Sequence, residues 1–103
     1  MSVLVEFAMF PTDKGESVSA YVARVIDSLR SSGVRYQLTP MGTIFETETM
    51  REALEVIGRA YAVLEPLSNR VYAVAKFDIR KGPTGRMEKK VRSVEEKLAR
   101  ADR

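Results

Sequence analysis

Apolar and polar positions alternate from Val3 to Phe10, with Val3, Val5, Phe7 and Met9 on one parity and Leu4, Glu6, Ala8 and Phe10 on the other. A period of two bounded by Pro11 predicts a strand whose purely apolar parity faces a core. After a loop at Pro11-Thr12-Asp13-Lys14-Gly15 the period becomes helical. From about Ser17 to Ser31, Val18, Tyr21, Val22, Val25, Ile26 and Leu29 form one stripe, and Gly33 supplies the stop. Arg35–Thr39 predicts a second strand with Val34, Tyr36 and Leu38 on one face, and Pro40 interrupts it. Gly42–Thr47 predicts a third strand, near enough for a hairpin. Thr49 with Glu52 three residues on is a capping box. The helix it opens carries Ala53, Leu54, Ile57, Ala60, Tyr61 and Leu64 on one stripe and ends at Pro66. Asn69–Arg80 alternates again, Val71, Ala73, Ala75, Phe77 and Ile79 against Tyr72, Val74, Lys76 and Asp78. A turn at Lys81-Gly82-Pro83 leads to a last helix with Met87, Val91, Val94 and Leu98 on one side. Glu88 and Arg92, and Glu96 and Arg100, are spaced there for i,i+4 pairs.

The order is therefore βαββαβ plus a C-terminal helix. Two helices with single apolar stripes must cover one sheet face, the split βαβ pattern of an α+β, ferredoxin-like sandwich. Residues 1–103 read as one such domain, its strands antiparallel in the order 4-1-3-2. Strand 1 with Glu6 then lies between strand 3 with Glu46 and strand 4 with Lys76 and Asp78. The helix-free face collects Leu4, Glu6, Ala8, Phe10, Tyr72, Val74, Lys76 and Asp78. Strand 3 adds either Ile44 and Glu46 or Thr43 and Phe45, because a bulge near Gly42 can switch the parity. Gly42 itself marks a place where the backbone kinks or something approaches closely. Such a face is too apolar to stay wet and too charged for a simple core, which marks an interaction surface. The expectation is that sheets of two subunits stack here, with polar pockets in the seam.

Composition narrows the chemistry. A chain of 103 residues, 45% hydrophobic and 30% charged, supports one modest globular core. It holds no cysteine and no histidine, which removes the thiolate nucleophile, the imidazole base and the usual zinc sites. No catalytic residue, metal or cofactor is expected. No apolar run approaches the ~20 residues of a membrane span. Met1-Ser2-Val3-Leu4-Val5-Glu6 lacks the basic start of a signal peptide, so the cytoplasm is the expected location. The net charge of +3 sits in Arg86–Arg103, with 7 of the 17 basic and 4 of the 14 acidic residues. Alternating signs on one terminal helix describe a solvated face, so neither nucleic acid nor membrane is an expected partner.

On the helix-free face, Glu6, Glu46 and Asp78 offer acceptors, Lys76 a donor, and Tyr72 or Phe45 a ring. That set suits a small, flat, cationic or amine-bearing ligand. It does not suit a phosphate, for which only Lys76, Arg80 and Lys81 are at hand. The structural alternative for Glu6 and Lys76 is a cross-strand ion pair. An RNA-recognition module would need basic and aromatic residues around Gly42, where strand 3 places an acid instead. An acylphosphatase-like hydrolase would need an anion cradle after strand 1, where this chain has one glycine and an aspartate. An oligomeric regulatory or assembly module for another small metabolite is the main alternative function.

One combination of residues is more specific. Glu6-Phe7 with Pro11 after it, Tyr36 before Pro40-Met41-Gly42-Thr43, Glu46 ending that strand, and Arg70-Val71-Tyr72 leading to Lys76-Phe77-Asp78 together resemble the small YkoF-like thiamine-binding family. Lys90-Val91-Arg92-Ser93-Val94 looks like that family's last helix. The resemblance implies a ferredoxin-like protomer in homotetramers or related dimers, binding thiamine or its hydroxymethylpyrimidine part without catalysis. Carried onto this chain, it implies ligand contacts from Glu6, Thr43, Glu46, Lys76 and Asp78, with Phe45 as a ring to stack on. One carboxylate would accept from the aminopyrimidine and another would offset the thiazolium charge.

Overall fold

A computed structural model describes residues 1–101, and its elements follow the predicted order. They are β1 (Ser2–Pro11), α1 (Ser19–Ser32), β2 (Arg35–Thr39), β3 (Gly42–Thr47), α2 (Met50–Leu64), β4 (Val71–Arg80) and α3 (Arg86–Ala101). The sheet runs β2-β3-β1-β4 with every neighbouring pair antiparallel, which is the ferredoxin-like order 4-1-3-2 read from the other edge. No helix among the described residues is long and apolar enough to cross a membrane.

Local chemistry sets the boundaries. Gly33 ends α1 at φ 79°, the left-handed conformation glycine adopts without a Cβ clash, and its N–H donates to the Arg30 carbonyl. Thr49 Oγ1 accepts from the Glu52 amide at 3.1 Å, while the Glu52 carboxylate reaches back to the Glu48 amide. The capping box therefore forms, with its return bond one residue earlier than the usual N-cap amide. At Gly42 any Cβ would come within 2.9 Å of the Phe7 carbonyl oxygen. Glycine is what lets β3 start this close to β1.

The core is one layer between sheet and helices. Val3, Val5, Phe7 and Met9 of β1 and Phe45 of β3 meet Val25 and Leu29 of α1 and Ala53, Val56, Ala60 and Leu64 of α2. Phe7 and Phe45 meet edge to face, centroids 5.6 Å apart. On α2 the buried stripe includes Val56, whereas Leu54 and Tyr61, expected inside, are exposed. The helix buries a narrower face than its full apolar stripe, packed against α1, β1 and β3.

Register decides the parity of β3. Val5 pairs with Phe45 and Phe7 with Thr43, while Glu6 pairs with Ile44 and Leu4 with Glu46, without a bulge. Thr43 and Phe45 thus face the helices, and Ile44 and Glu46 face the open side. Neither i,i+4 pair expected along α3 forms among the described residues; Glu88 pairs instead with Arg35 of β2, and Arg86 and Lys90 pair with Asp78 of β4.

Candidate functional site

Two surfaces carry the residues that the sequence singled out. The open face of the sheet is a grid of cross-strand rows. One row joins Lys76, Glu6, Ile44 and Gln37, and the next joins Asp78, Leu4, Glu46 and Arg35. On the other side of the Lys76 row lie Val74 with Ala8, then Tyr72 with Phe10. Lys76 Nζ stands 3.6 Å from Glu6 Oε1, the expected cross-strand ion pair, with both side chains solvated. A solvated pair of this kind adds about 0.2–1 kcal/mol, so both ends keep free hydrogen-bonding capacity. The Phe10 and Tyr72 rings lie 5.8 Å apart at 38°, and Tyr72 is half exposed. Between the two ends, Ala8 and Val74 form a low apolar floor.

Glu46 lies on the same face but is engaged differently. Its carboxylate accepts from Ser2 Oγ at 2.5 Å and from the amides of Gly85, Arg86 and Met87 at 2.9, 3.1 and 3.4 Å. These amides are the first turn of α3, whose unsatisfied N–H groups attract a carboxylate. Burial pushes the Glu46 carboxyl pKa up, but the Ser2 hydroxyl and the three amides outweigh it and hold the group below its ordinary value. Arg86, 5% exposed, closes the arrangement. Its guanidinium donates to Ser2 Oγ, to the Ser2 and Asp78 carbonyls, and pairs with the Asp78 carboxylate at 3.0 Å. Lys90 also holds Asp78, at 2.7 Å. The hydrogen bonds from Lys90 and Arg86 keep the Asp78 carboxyl below its usual range.

The helix side offers a second surface. Phe45 is fully buried in the core and has no access to the open face. Thr43, 4% exposed, lines a cleft of about 250 Å³ between α1 and the β2–β3 turn, walled by Met9, Val22, Ile26, Leu38 and Met41. Thr39 also lines it, but its hydroxyl donates to the Gly42 carbonyl and accepts from the Met41 amide within the turn. The Thr43 hydroxyl is therefore the side-chain polar group that this wall can offer.

The six residues thus divide. Glu6, Lys76 and Asp78 share the open face with Glu46, Glu46 and Asp78 being held by α3; Thr43 and Phe45 lie on the opposite side. Sequence reasoning missed Ser2 and Arg86. Arg86 reads as one more cation of a solvated helix, and the available signal was that a helix start at Gly85–Met87 needs an acceptor.

Comparison with known proteins agrees with this architecture. The chain is 39% identical over 102 residues to a UPF0045 protein of Mycobacterium bovis, covering 99% of this chain and 100% of that one. A UPF0045 protein of Methanothermobacter thermautotrophicus is 40% identical over 83 residues, 80% of this chain and 84% of that one. Among solved structures, a hypothetical protein of Methanocaldococcus jannaschii superposes with a TM-score of 0.82 at 28% identity, over 92% of this chain and 97% of that one. A candidate thiamine biosynthesis/salvage protein of Thermotoga maritima shares the fold, with a TM-score of 0.73 at 21% identity over 85% and 95% of the two chains. The family profile described as thiamine-binding protein matches residues 5–95, which span the sheet, both core helices and most of α3. With that match over most of its length and a relative 39% identical across 99% of it, this chain belongs to the thiamine-binding protein family.

Proposed function

We propose that this protein binds thiamine, or its hydroxymethylpyrimidine part, without altering it covalently, on the open face of the sheet where a second copy closes the site. The observation that carries this reading is the strip from Glu6 and Lys76 to Phe10 and Tyr72. A solvated carboxylate and ammonium stand at one end and an exposed aromatic pair at the other. The ends are four residues apart along each strand, about 13 Å. A two-ring cationic molecule laid along this floor stacks on Tyr72 and places an amine or cationic ring at Glu6. Asp78 and Glu46, both ionised, add negative potential to the same face while holding α3, and Phe45 supports the sheet from behind. Family membership supports the ligand class. The chain's lack of cysteine and histidine supports binding rather than catalysis.

A second reading places the ligand in the Thr43 cleft, and its mostly apolar lining favours it. Isothermal titration calorimetry with thiamine, hydroxymethylpyrimidine and thiamine diphosphate separates the two. Open-face binding predicts saturation by the first two, weaker binding of the diphosphate, and about 10- to 100-fold loss in Glu6→Gln from one charged hydrogen bond. Thr43→Val then binds normally. The reverse pattern moves the site to the cleft, and silence for all three ligands removes the thiamine reading in favour of another small metabolite. Light scattering that shows a monomer at micromolar concentration removes the second copy.

A further inference from the structure

The chain has no cysteine, so its five methionine thioethers are the groups that a peroxide oxidises first. They are unequally placed. Met9 belongs to the buried core, and Met50 and Met87 are half-buried in the first turns of α2 and α3. Met1 is 46% exposed, whereas Met41 is 88% exposed. Oxidation follows the access of the oxidant to the sulfur, so Met41 is set to react first.

Nothing in the local fold calls for a methionine there. Thr39 and Gly42 pair across the end of the β2–β3 hairpin, which leaves Pro40 and Met41 as a two-residue turn. Proline fixes φ at about −65° at the first position, and Met41 has no positive φ, so the second position accepts most residue types. The Thr39 hydroxyl holds the turn, donating to the Gly42 carbonyl at 2.8 Å and accepting from the Met41 amide at 3.2 Å. The Met41 backbone is thereby fixed, while its unbranched side chain stays free to turn. That side chain stands at the Thr43 cleft beside Leu38, itself 59% exposed, with Val22 and Ile26 of α1 as a further wall. Leu38 and Met41 make an apolar lip that a guest entering the cleft must meet.

We propose that Met41 is an oxidation site that sets the polarity of the cleft mouth: the reduced chain admits apolar rings, and the sulfoxide excludes them. Hydrogen peroxide transfers one oxygen to the thioether. A sulfur lone pair forms the S–O bond, the O–O bond breaks, and the second oxygen leaves as water with both hydrogens. The sulfur is oxidised by two electrons and the peroxide is reduced by two. The product turns an apolar tip into a polar one with a strong hydrogen-bond acceptor. A ring that covers the oxidised lip must strip water from that oxygen, a cost that the thioether does not impose. This holds for any apolar guest of the cleft and does not rest on the open-face reading of the thiamine site.

The test titrates the full chain with hydrogen peroxide and maps the products by peptide mass spectrometry. Met41 sulfoxide is expected to form at least about fivefold faster than the sulfoxides of Met9, Met50 and Met87. The fluorescent probe anilinonaphthalene sulfonate, which carries two apolar rings, then reports the cleft. Its affinity should fall about 5- to 50-fold once the native chain carries the Met41 sulfoxide. Met41→Gln, whose side-chain amide puts a polar acceptor at the same tip, should show a loss of the same order without peroxide. Met41→Leu should bind the probe as the native chain does and keep that affinity after the same peroxide dose. The position is exposed, so both variants are expected to keep the native circular dichroism and urea midpoint. Four results overturn the proposal: another of these methionines reacting first, no binding of the probe by the reduced native chain, unchanged binding by the oxidised one, or an equal loss in peroxide-treated Met41→Leu.

Discussion

Glu46→Gln separates a structural carboxylate from a ligand contact. Glutamine keeps the length of the side chain and one oxygen, but it loses the charge and turns an NH2 toward donors. The native carboxylate serves Ser2 Oγ, Gly85 N and Arg86 N within 3.1 Å, and Met87 N at the long distance of 3.4 Å. A hydrogen bond to a charged acceptor contributes about 1.5–3 kcal/mol, and charge at a helix start about 0.3–1 kcal/mol more. These contributions share one group and do not add, and the remaining oxygen still accepts, so the cost is about 2–3 kcal/mol. It falls on the docking of α3, because Val91, Val94 and Leu98 further along are each more than half exposed. Amide hydrogen exchange followed by mass spectrometry reads this directly. Residues 86–101 should exchange about 30- to 160-fold faster in Glu46→Gln, while β1 changes little. Unchanged protection of α3 refutes the reasoning. Unchanged protection with thiamine binding abolished would make Glu46 a ligand contact, as the family resemblance implies.

Three further outcomes follow from the geometry. Folding lowers the pKa of Glu46 and Asp78 from 4.5 and 3.8, so the unfolded chain takes up the protons first. Their contribution is complete above those values and lost as the pH falls through the folded ones; the α3 protection factors, corrected for the intrinsic exchange rate at each pH, should therefore fall on acidification, less steeply in Glu46→Gln. Gly42→Ala drives a Cβ to 2.9 Å from the Phe7 carbonyl, a backbone atom that cannot swing away. It should cost about 1–3 kcal/mol in urea unfolding, and wild-type stability would show that β3 can shift. Phe45→Ala empties a fully buried site against Phe7 and should cost about 3–5 kcal/mol, read as a lower urea midpoint.

The element order, the short β2–β3 connection, the Gly33 stop and the Thr49 cap were legible in the chain, since each depends on neighbours within a few residues. The apolar parity of β1 was equally plain, because a strand with one fully apolar face has one way to sit. From that order the sheet topology followed, since two striped helices must cover one face. Glu6 and Lys76 were also placed correctly relative to each other, because adjacent strands of fixed parity bring them into one row.

The roles of Thr43, Phe45 and Glu46 were not legible in this way. Gly42-Thr43-Ile44-Phe45-Glu46-Thr47 has an apolar residue and a polar one on either parity, so periodicity alone could not choose its inner face. Register with β1 made the choice, putting Phe45 into the core against Val5 and Phe7. The same register left Glu46 beside Ser2 and the first turn of α3, some 40 positions away in either direction. A local pattern records what a residue needs, an acceptor for a buried donor or a partner for a charge. Only the folded chain decides which distant group meets that need, because the competing partners differ in position and not in type.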